Sequence, residues 1–248
     1  MQSKPSLEDM LALMRDLRAR CDWDAAQTHE SLRPYLIEEA YEVDDAIRSG
    51  DDATIRDELG DILLQVLFHA VMAEERGAFS LYEVAEGLMT KMKGRHPHLY
   101  RDGARQSWEA MKARRRNSIV DGLPVDLPSL HRAFRLQERA AGVGFDWSDV
   151  HGPIQKVAEE LDEVRVEVRA ATDPRRLEDE IGDLLFAVVN LARKAGVHPS
   201  LALDRANLKF ARRFGAVERL AAERGLRVGE ASLEALDAIW NEVKTAET

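Results

Sequence analysis

Two short stretches of nearly the same sequence constrain what this chain can fold into. Asp57 to Leu64 reads Asp-Glu-Leu-Gly-Asp-Ile-Leu-Leu, and Asp179 to Phe186 reads Asp-Glu-Ile-Gly-Asp-Leu-Leu-Phe. Residues three and four apart share one face of a helix, so this spacing places the acids of each stretch together. The apolar side chains that follow lie on nearly every side of the helix. The pattern therefore predicts two helices that are central and buried.

A second acidic group precedes each stretch. It comprises Glu38, Glu39 and Glu42 in the first copy, and Glu159, Glu160 and Glu163 in the second. Beside these acids runs a predicted apolar stripe, formed by Leu36, Ala40, Val43 and Ile47 in the first copy and by Val157, Leu161, Val164 and Val168 in the second. Burying unpaired carboxylates is costly, and hard Mg²⁺ binds carboxylate oxygens together with substrate phosphates. A solvated surface would explain one such cluster, but its recurrence favours a metal site.

The repeat extends to basic and aromatic residues. Lys91 and Arg95 are four apart, as are Lys209 and Arg213, and Trp108 with Lys112 matches Trp240 with Lys244. A repeat of this length indicates duplication. Gly122, Pro124 and Pro128 predict a linker at 117–129, between a module over 1–116 and another over 130–248. No segment alternates as a strand does, so the predicted class is all-α.

Composition restricts the partners and the compartment. The formal net charge is −10 over 248 residues, and a general polynucleotide binder would be basic, so we expect no polynucleotide partner. Cys21 is the single cysteine, which permits no internal disulfide and fits a reducing compartment. The N-terminus lacks the apolar core of a signal peptide, and the apolar run 62–73 is too short to span a bilayer. We therefore expect a cytoplasmic protein that does not enter a membrane.

The acids and bases of each half together fit hydrolysis of a phosphate ester or anhydride. Carboxylates hold Mg²⁺, cations neutralise phosphate oxygens, and one carboxylate deprotonates a water molecule. From spacing alone, Lys209 and Arg213 are as consistent with an ordinary exposed basic face as with a site for a shared anion. Trp240 either stacks on a base or fills the core, and its sequence context favours the core. A di-iron centre is excluded because none of the seven histidines follows a glutamate by three positions.

The acidic pattern Glu-Glu-x-x-Glu followed by Glu-x-x-Asp resembles the motif of the MazG nucleoside triphosphate pyrophosphohydrolases. The resemblance covers nearly the whole chain and both halves. It includes the segments Cys21–Asp24, Gln27–Pro34, Arg95–His98 and Val143–Trp147. It implies tandem four-helix modules that assemble as a homodimer. The implied reaction converts a nucleoside triphosphate and water into a monophosphate and pyrophosphate, with Mg²⁺ as cofactor, Mn²⁺ as an alternative ion, and a broad range of bases.

The resemblance also assigns roles to residues. The metal ligands would be Glu160, Glu163, Glu180 and Asp183 in the second half, and Glu39, Glu42, Glu58 and Asp61 in the first. Glu159 completes the catalytic motif of the second half. Phosphates would be contacted by Lys209 and Arg213, and by Lys91 and Arg95 in the first half. Trp240 would lie near the base, which reverses the preference for a core role. Arg176 is a further substrate-binding candidate; relatives can have lysine there, whose reach differs. Both motifs are intact, so the sequence does not mark either half as inactive.

Two other functions remain open from the sequence. One is a pyrophosphatase restricted to dUTP or another single nucleotide. The other is a non-catalytic helical adaptor whose acids bind the basic surface of a partner. The lysine and arginine pairs in both halves argue against the adaptor, because they would repel such a partner.

Overall fold

The computed structural model describes residues 4–100, 118–170 and 173–247. Every regular element in these ranges is a helix, which confirms the predicted all-α, tandem fold. The chain divides into two compact units, 1–105 and 106–248. Trp108 and Lys112, which the repeat matches with Trp240 and Lys244, lie outside the described residues. The linker predicted at 117–129 stays a prediction.

The first unit contains six described helices. They are α1 (Leu7–Arg20), α2 (Asp22–Ala26), α3 (Arg33–Ser49), α4 (Asp52–Glu75), α5 (Leu81–Arg95) and α6 (Pro97–Tyr100). The longest of these, α4, packs against α1, α3 and α5. Its second half is buried in a core formed with α1, through side chains such as Leu11, Met14, Phe68 and Val71. Leu59, in its first half, is exposed. The prediction of a fully buried helix is therefore correct only for the second half of α4.

The second unit contains five described helices. They are α7 (Ser129–Gly142), α8 (His151–Ala170), α9 (Pro174–Lys194), α10 (Pro199–Glu223) and α11 (Leu233–Ala246). α9 packs against α7 and most extensively against α8, while α10 packs against α7 and α11. Val217 and Ala221 of α10 form a small core with Ile239 and Val243 of α11. Across the described ranges, no helix is long and apolar enough to cross a membrane.

The helix α9 is not buried on all sides, contrary to the prediction. Ala187, Val189 and Asn190 are buried, but Ile181 and Leu185 are 42% and 54% exposed. Helices within one chain cover one face of α9 and leave the other apolar face open to solvent. The apolar composition of the helix therefore does not reflect burial inside a single chain.

The apolar stripes predicted on the acidic helices lie largely on exposed faces. In α3 the buried residue is Ala46, while Leu36 and Ile47 are exposed. In α8 the buried side chains include Glu160 and Glu167, while Leu161 and Val168 are exposed. The reason is that the acids themselves face the neighbouring helix, so the adjacent apolar stripe points away from it.

Local sequence determines several helix ends. Ser6 and Asp9 form a capping box at the start of α1, and Ser80 and Glu83 form another at the start of α5. The short helices α2 and α6 were not predicted, because each follows a break in the helical pattern and spans only one turn or so. In the second unit, Arg139 of α7 donates hydrogen bonds to the carbonyl groups of Ile119 and Asp121, which holds residues before α7 against that helix.

Candidate functional site

The carboxylates of the second unit come together where α8 packs against α9. Oxygen atoms of Glu160, Glu180 and Asp183 all lie within 4.8 Å of one another, and the same holds for Glu159, Glu160 and Glu163. Glu160 belongs to both groups and is 5% exposed. One-turn spacing within each helix and the close packing of the two helices produce this arrangement. The structure thus brings together the predicted acids of this half.

Negative charge is concentrated at this cluster. A hydrogen bond shared with Glu160 raises the pKa of Glu163 above its ordinary value, and burial and the charges of Glu160 and Glu180 raise it further. Carboxylates are driven toward protonation when like charges adjoin them without compensation. The cluster therefore favours the approach of a cation.

One compensating cation, Lys156, was missed by the sequence analysis. Its Nζ atom lies 2.8 Å from Glu159 Oε1 and 2.6 Å from Glu160 Oε1. Hydrogen bonds to these two carboxylates raise the pKa of the lysine, which keeps it charged. The signal was present, because Lys156 precedes the two glutamates by three and four positions, the spacing of helical ion pairs.

The first unit has an equivalent acidic cluster between α3 and α4. Oxygen atoms of Glu39, Glu58 and Asp61 lie within 4.8 Å of one another. Burial raises the pKa of Glu39, and the charges of Asp61, Glu42 and Glu58 raise it further. Burial and the charges of Glu42 and Asp61 also raise the pKa of Glu58. Glu42 therefore adjoins both carboxylates, and the four predicted ligands of this half form one group.

The two clusters differ in the charges around them. Tyr35 occupies the position, four residues before Glu39, that Lys156 occupies before Glu160. The second unit also has an ion pair of 2.8 Å between Arg176 and the buried Glu167. At the corresponding positions of the first unit stand Ala46 and Thr54. The second cluster is thus the more extensively neutralised of the two. Arg176, predicted to bind substrate, already has a carboxylate partner.

The donor set of each cluster fits a hard divalent cation. All candidate ligand atoms are carboxylate oxygens supplied by two adjacent helices, and Mg²⁺ prefers such oxygens. Neighbouring carboxylates help to raise the pKa values of Glu39, Glu58 and Glu163, in addition to burial, which indicates that a cation would be bound favourably. The ligands would be Glu160, Glu163, Glu180 and Asp183 in the second unit, and Glu39, Glu42, Glu58 and Asp61 in the first.

The predicted phosphate-binding residues lie on α5 and α10. Arg213 contacts Glu247 near the C-terminal end through its Nε atom, at 2.8 Å, and the neighbouring Arg212 contacts the same carboxylate at 3.0 Å. Lys209, one turn earlier, is exposed, as is Lys91 on α5, while Arg95 is half-buried. Within the described residues, no ion pair joins Lys209 or Arg213 to the acidic cluster.

Trp240 lies between α10 and α11. It packs against the small core of these helices, and its ring centroid is 5.5 Å from that of Phe210. The ring is half-buried. This position agrees with the core role that the sequence context favoured, and the role near a base stays a prediction.

A cavity of about 670 Å³ adjoins the acidic cluster of the second unit. Its lining includes Glu160 and Asp183 of the cluster, the cation Lys156, and the aromatic residues Phe145, Trp147 and Phe186. Most of the wall is apolar, and its charged residues are Lys156, Glu160, Asp183 and Arg193. Such a cavity can hold an apolar, ring-containing group beside the acids.

The loop that carries Phe145 and Trp147 is fixed to the end of α9. Arg193 and Lys194 hold the Asp146 carboxylate, the lysine at 3.0 Å, and their hydrogen bonds lower the pKa of Asp146 to about 2. Lys194 also donates to the carbonyl oxygen of Trp147. This network was not predicted, because it joins residues almost fifty positions apart in the chain.

Comparisons with known proteins agree with this arrangement. The family model described as the MazG nucleotide pyrophosphohydrolase domain matches residues 27–100 and 151–217. The chain is 43% identical over 247 residues to a protein named nucleoside triphosphate pyrophosphohydrolase from Escherichia coli K12, covering 94% of each chain. It is 44% identical over 246 residues to a Thermotoga maritima protein named nucleoside triphosphate pyrophosphohydrolase/pyrophosphatase MazG, covering 96% of this chain and 95% of the relative. The two matched segments include α3 and α4 in one unit and α8 and α9 in the other, and the chain belongs to the MazG family of nucleotide pyrophosphohydrolases.

Proposed function

We propose that the protein hydrolyses nucleoside triphosphates to monophosphates and pyrophosphate, with Mg²⁺ as cofactor and a broad range of ribo- and deoxynucleotides as substrates. The observation that carries the proposal is the acidic cluster of Glu160, Glu180 and Asp183, which adjoins a mostly apolar cavity. Its donor set suits a divalent ion that binds together with phosphates. The relatives from Escherichia coli and Thermotoga maritima carry names that state this class of activity.

The reaction breaks the bond between an α-phosphorus and the oxygen that leaves with pyrophosphate. A water oxygen forms a bond to that phosphorus, and one carboxylate of the cluster accepts the proton from the water. Bound Mg²⁺ supplies charge neutralisation for the phosphate oxygens. Lys156 orients the carboxylates of Glu159 and Glu160. We propose that Lys209 and Arg213 approach the phosphates from α10, where release of Glu247 would make Arg213 available.

Pyrophosphate release from the eight common NTPs and dNTPs, with Mg²⁺ and with EDTA, tests the proposal. We expect pyrophosphate release from most of these nucleotides, and we expect EDTA to abolish it. Release from a single nucleotide, such as dUTP, would replace the broad specificity by a narrow one. A lack of release from every nucleotide would overturn the proposal and favour the adaptor.

A matched pair of variants tests the site. Asp183→Ala removes a carboxylate of the second cluster, and Glu178→Ala removes an exposed carboxylate from the same helix. We expect the first variant to lose Mg²⁺-dependent turnover by the second unit and Glu178→Ala to keep it. Circular dichroism checks that both remain helical. Equal activity in the two variants would exclude Asp183 from the mechanism.

We also propose that the chain forms a homodimer in the cytoplasm. Large apolar side chains on α9, such as Ile181, Leu185 and Val188, are exposed in the single chain, and so are Leu36 and Ile37 on α3. Exposed apolar surface of this extent is typical of interaction sites. Light scattering after gel filtration should give twice the 27.9 kDa mass of a single chain. Leu185→Lys should shift the protein toward the monomer. A monomeric wild-type protein would contradict the dimer.

A further inference from the structure

We infer that Glu247 occupies, in the free protein, the place on Arg213 that a phosphate group of the substrate takes, so that this contact opens when a nucleotide binds. The inference rests on the proposed function, which assigns Arg213 to the phosphates. One carboxylate oxygen of Glu247 accepts a hydrogen bond from Arg213 Nε at 2.8 Å. The other oxygen lies 3.0 Å from Arg212 Nη2. The carboxylate therefore bridges the side chains of two consecutive arginines on α10.

The donors that hold this carboxylate suit a phosphate equally well. Guanidinium groups bind the oxygen atoms of either anion through charge-assisted hydrogen bonds in a planar fork. The hydrogen bond from Arg213, together with the positive charges of Arg212 and Arg213, lowers the pKa of Glu247. The carboxylate is thus ionised at neutral pH. It competes directly with any other anion for the same donors.

The stability of α11 does not explain a glutamate at this position. Glu247 follows Ala246, the last residue of the helix. The C-terminal end of a helix carries a partial negative charge, which favours basic side chains there and disfavours acidic ones. Glu247 therefore gains little from its own helix, and its side chain instead contacts the two arginines of α10. This contact is the feature that requires an explanation.

The contact between Glu247 and Arg213 can open while the rest of the second unit stays folded. Residues at helix ends fray more readily than residues within the helix. The side chain of Glu247 is 28% exposed, so water reaches it. The core between α10 and α11 is formed by other residues, namely Val217, Ala221, Ile239 and Val243. Loss of the contact therefore leaves this core in place.

A second ion pair between the same two helices provides a matched control. Arg224 of α10 pairs with Glu242 of α11 at 2.7 Å, and both side chains are about half exposed. Neither residue is a predicted phosphate ligand. Glu247→Gln and Glu242→Gln therefore each remove a carboxylate that joins the two helices, but only the first makes Arg213 available.

The experiment measures anion binding and turnover in these two variants of the full chain. Titration calorimetry with Mg²⁺ gives the Kd of inorganic tripolyphosphate, and steady-state pyrophosphate release gives KM and kcat for ATP. We expect Glu247→Gln to bind tripolyphosphate about 2- to 5-fold more tightly than the wild type, the range for removal of one partly exposed ion pair. KM should fall by a similar factor with kcat unchanged. Glu242→Gln should match the wild type in both assays.

A double variant tests whether the gain in affinity acts through Arg213. Arg213→Gln alone should weaken the binding of tripolyphosphate. Adding Glu247→Gln to Arg213→Gln should then change the Kd by a smaller factor than it does in the wild-type background, because the donor for which the two anions compete is gone.

Three results would overturn the inference: an equal Kd in Glu247→Gln and the wild type, an equal gain in Glu242→Gln, or a gain that persists in full in the Arg213→Gln background. A protein that shows the expected gain through Arg213 but releases no pyrophosphate from any nucleotide would instead overturn the proposed function. The competition between Glu247 and phosphate would then still stand.

Discussion

Lys156 lies one helical turn before Glu160, and its Nζ atom is 2.6 Å from the buried carboxylate. Lysine supplies a positive charge to a cluster that would otherwise hold only like charges. In the first unit Tyr35 stands at the equivalent position. The two clusters therefore share their acids and differ in how those acids are neutralised.

Lys156→Met should lower the melting temperature of the protein in EDTA, because Glu160 is left buried among other carboxylates. Added Mg²⁺ should reduce this difference, since a divalent ion replaces the missing charge. Thermal unfolding with and without Mg²⁺ measures both effects. Arg165→Met is the control, because it removes the exposed ion pair with Asp162 on the same helix. Equal melting temperatures for the two variants would show that Lys156 has no such role.

Arg176 forms an ion pair with Glu167, and its mutation distinguishes a structural role of this arginine from a substrate-binding role. Arg176→Met leaves a carboxylate that is only 8% exposed without its cation, which should destabilise the protein by about 1–3 kcal/mol. The double variant with Glu167→Gln should recover part of that loss, as measured by urea unfolding. If the single variant instead keeps its stability and raises the KM for nucleotides, then Arg176 binds phosphate.

The acids of the first unit predict a dependence of stability on pH. The pKa values of Glu39 and Glu58 are raised above the ordinary value of 4.5, so the folded state binds more protons than the unfolded state. Their contribution to stability is therefore present at low pH and is lost as pH rises from 4.5 through the raised values. In EDTA, Glu39→Gln should remove part of this loss. The effect is measured by thermal unfolding of Glu39→Gln and of the control Glu38→Gln over that pH range. Parallel pH profiles of the melting temperature for the two variants would contradict the prediction.

A histidine pair in the first unit gives a pH dependence of stability opposite in sign to that of Glu39 and Glu58. His29 and His69 lie with their Nδ1 atoms 2.7 Å apart, and Arg76 Nη2 lies 3.0 Å from His29 Nε2. Because Arg76 can only donate, His29 carries its proton on Nδ1 and donates it to His69. Burial and the adjacent His29 lower the pKa of His69 below 6.5. Stability is therefore present above pH 6.5 and is lost as pH falls through the lower value.

His69→Leu should flatten the pH profile of the melting temperature below pH 6.5, because the titrating group is gone. His98→Leu, which removes an exposed histidine of the same unit, should keep the wild-type profile. Thermal unfolding over this pH range compares the two. An unchanged slope in the His69 variant would assign the acid sensitivity to another group.

Activity should depend more on the second cluster than on the first. Glu180→Ala should lower nucleotide hydrolysis by at least about 100-fold, the scale for loss of one charge-stabilising group. Glu58→Ala should have a smaller effect, because its cluster has tyrosine where the second has Lys156. Steady-state rates of pyrophosphate release for the two single variants and the double variant provide the measurement. A larger loss of activity in Glu58→Ala than in Glu180→Ala would show instead that activity depends more on the first cluster.

The sequence predicted the helices and the acids well, because both depend on local spacing. The acids of Glu-Glu-x-x-Glu and Glu-x-x-Asp meet because each helix repeats every three to four residues, and the only further requirement is that the two helices pack together. Lys156 was equally local and could have been found by the same argument.

Other features depend on contacts that the sequence does not reveal. The clamp of Asp146 by Arg193 and Lys194 joins distant positions, and the cavity beside Trp147 depends on three helices and two loop segments. The exposed face of α9 was misassigned because an apolar helix can meet another protein surface as well as a core. Burial therefore could not be inferred from composition alone.

The acids of each cluster come from two helices that follow each other in the chain. Glu160 and Asp183 lie on α8 and α9, and α9 begins at Pro174, soon after α8 ends at Ala170. Closing so short a segment has a low entropic cost, and contacts between neighbouring helices form early in folding. Each cluster therefore requires only a local helical hairpin, and the second cluster contains no residue of the core between α10 and α11. Divalent ions could then bind a partly folded chain and guide the pairing of the two helices before the rest of the unit is in place.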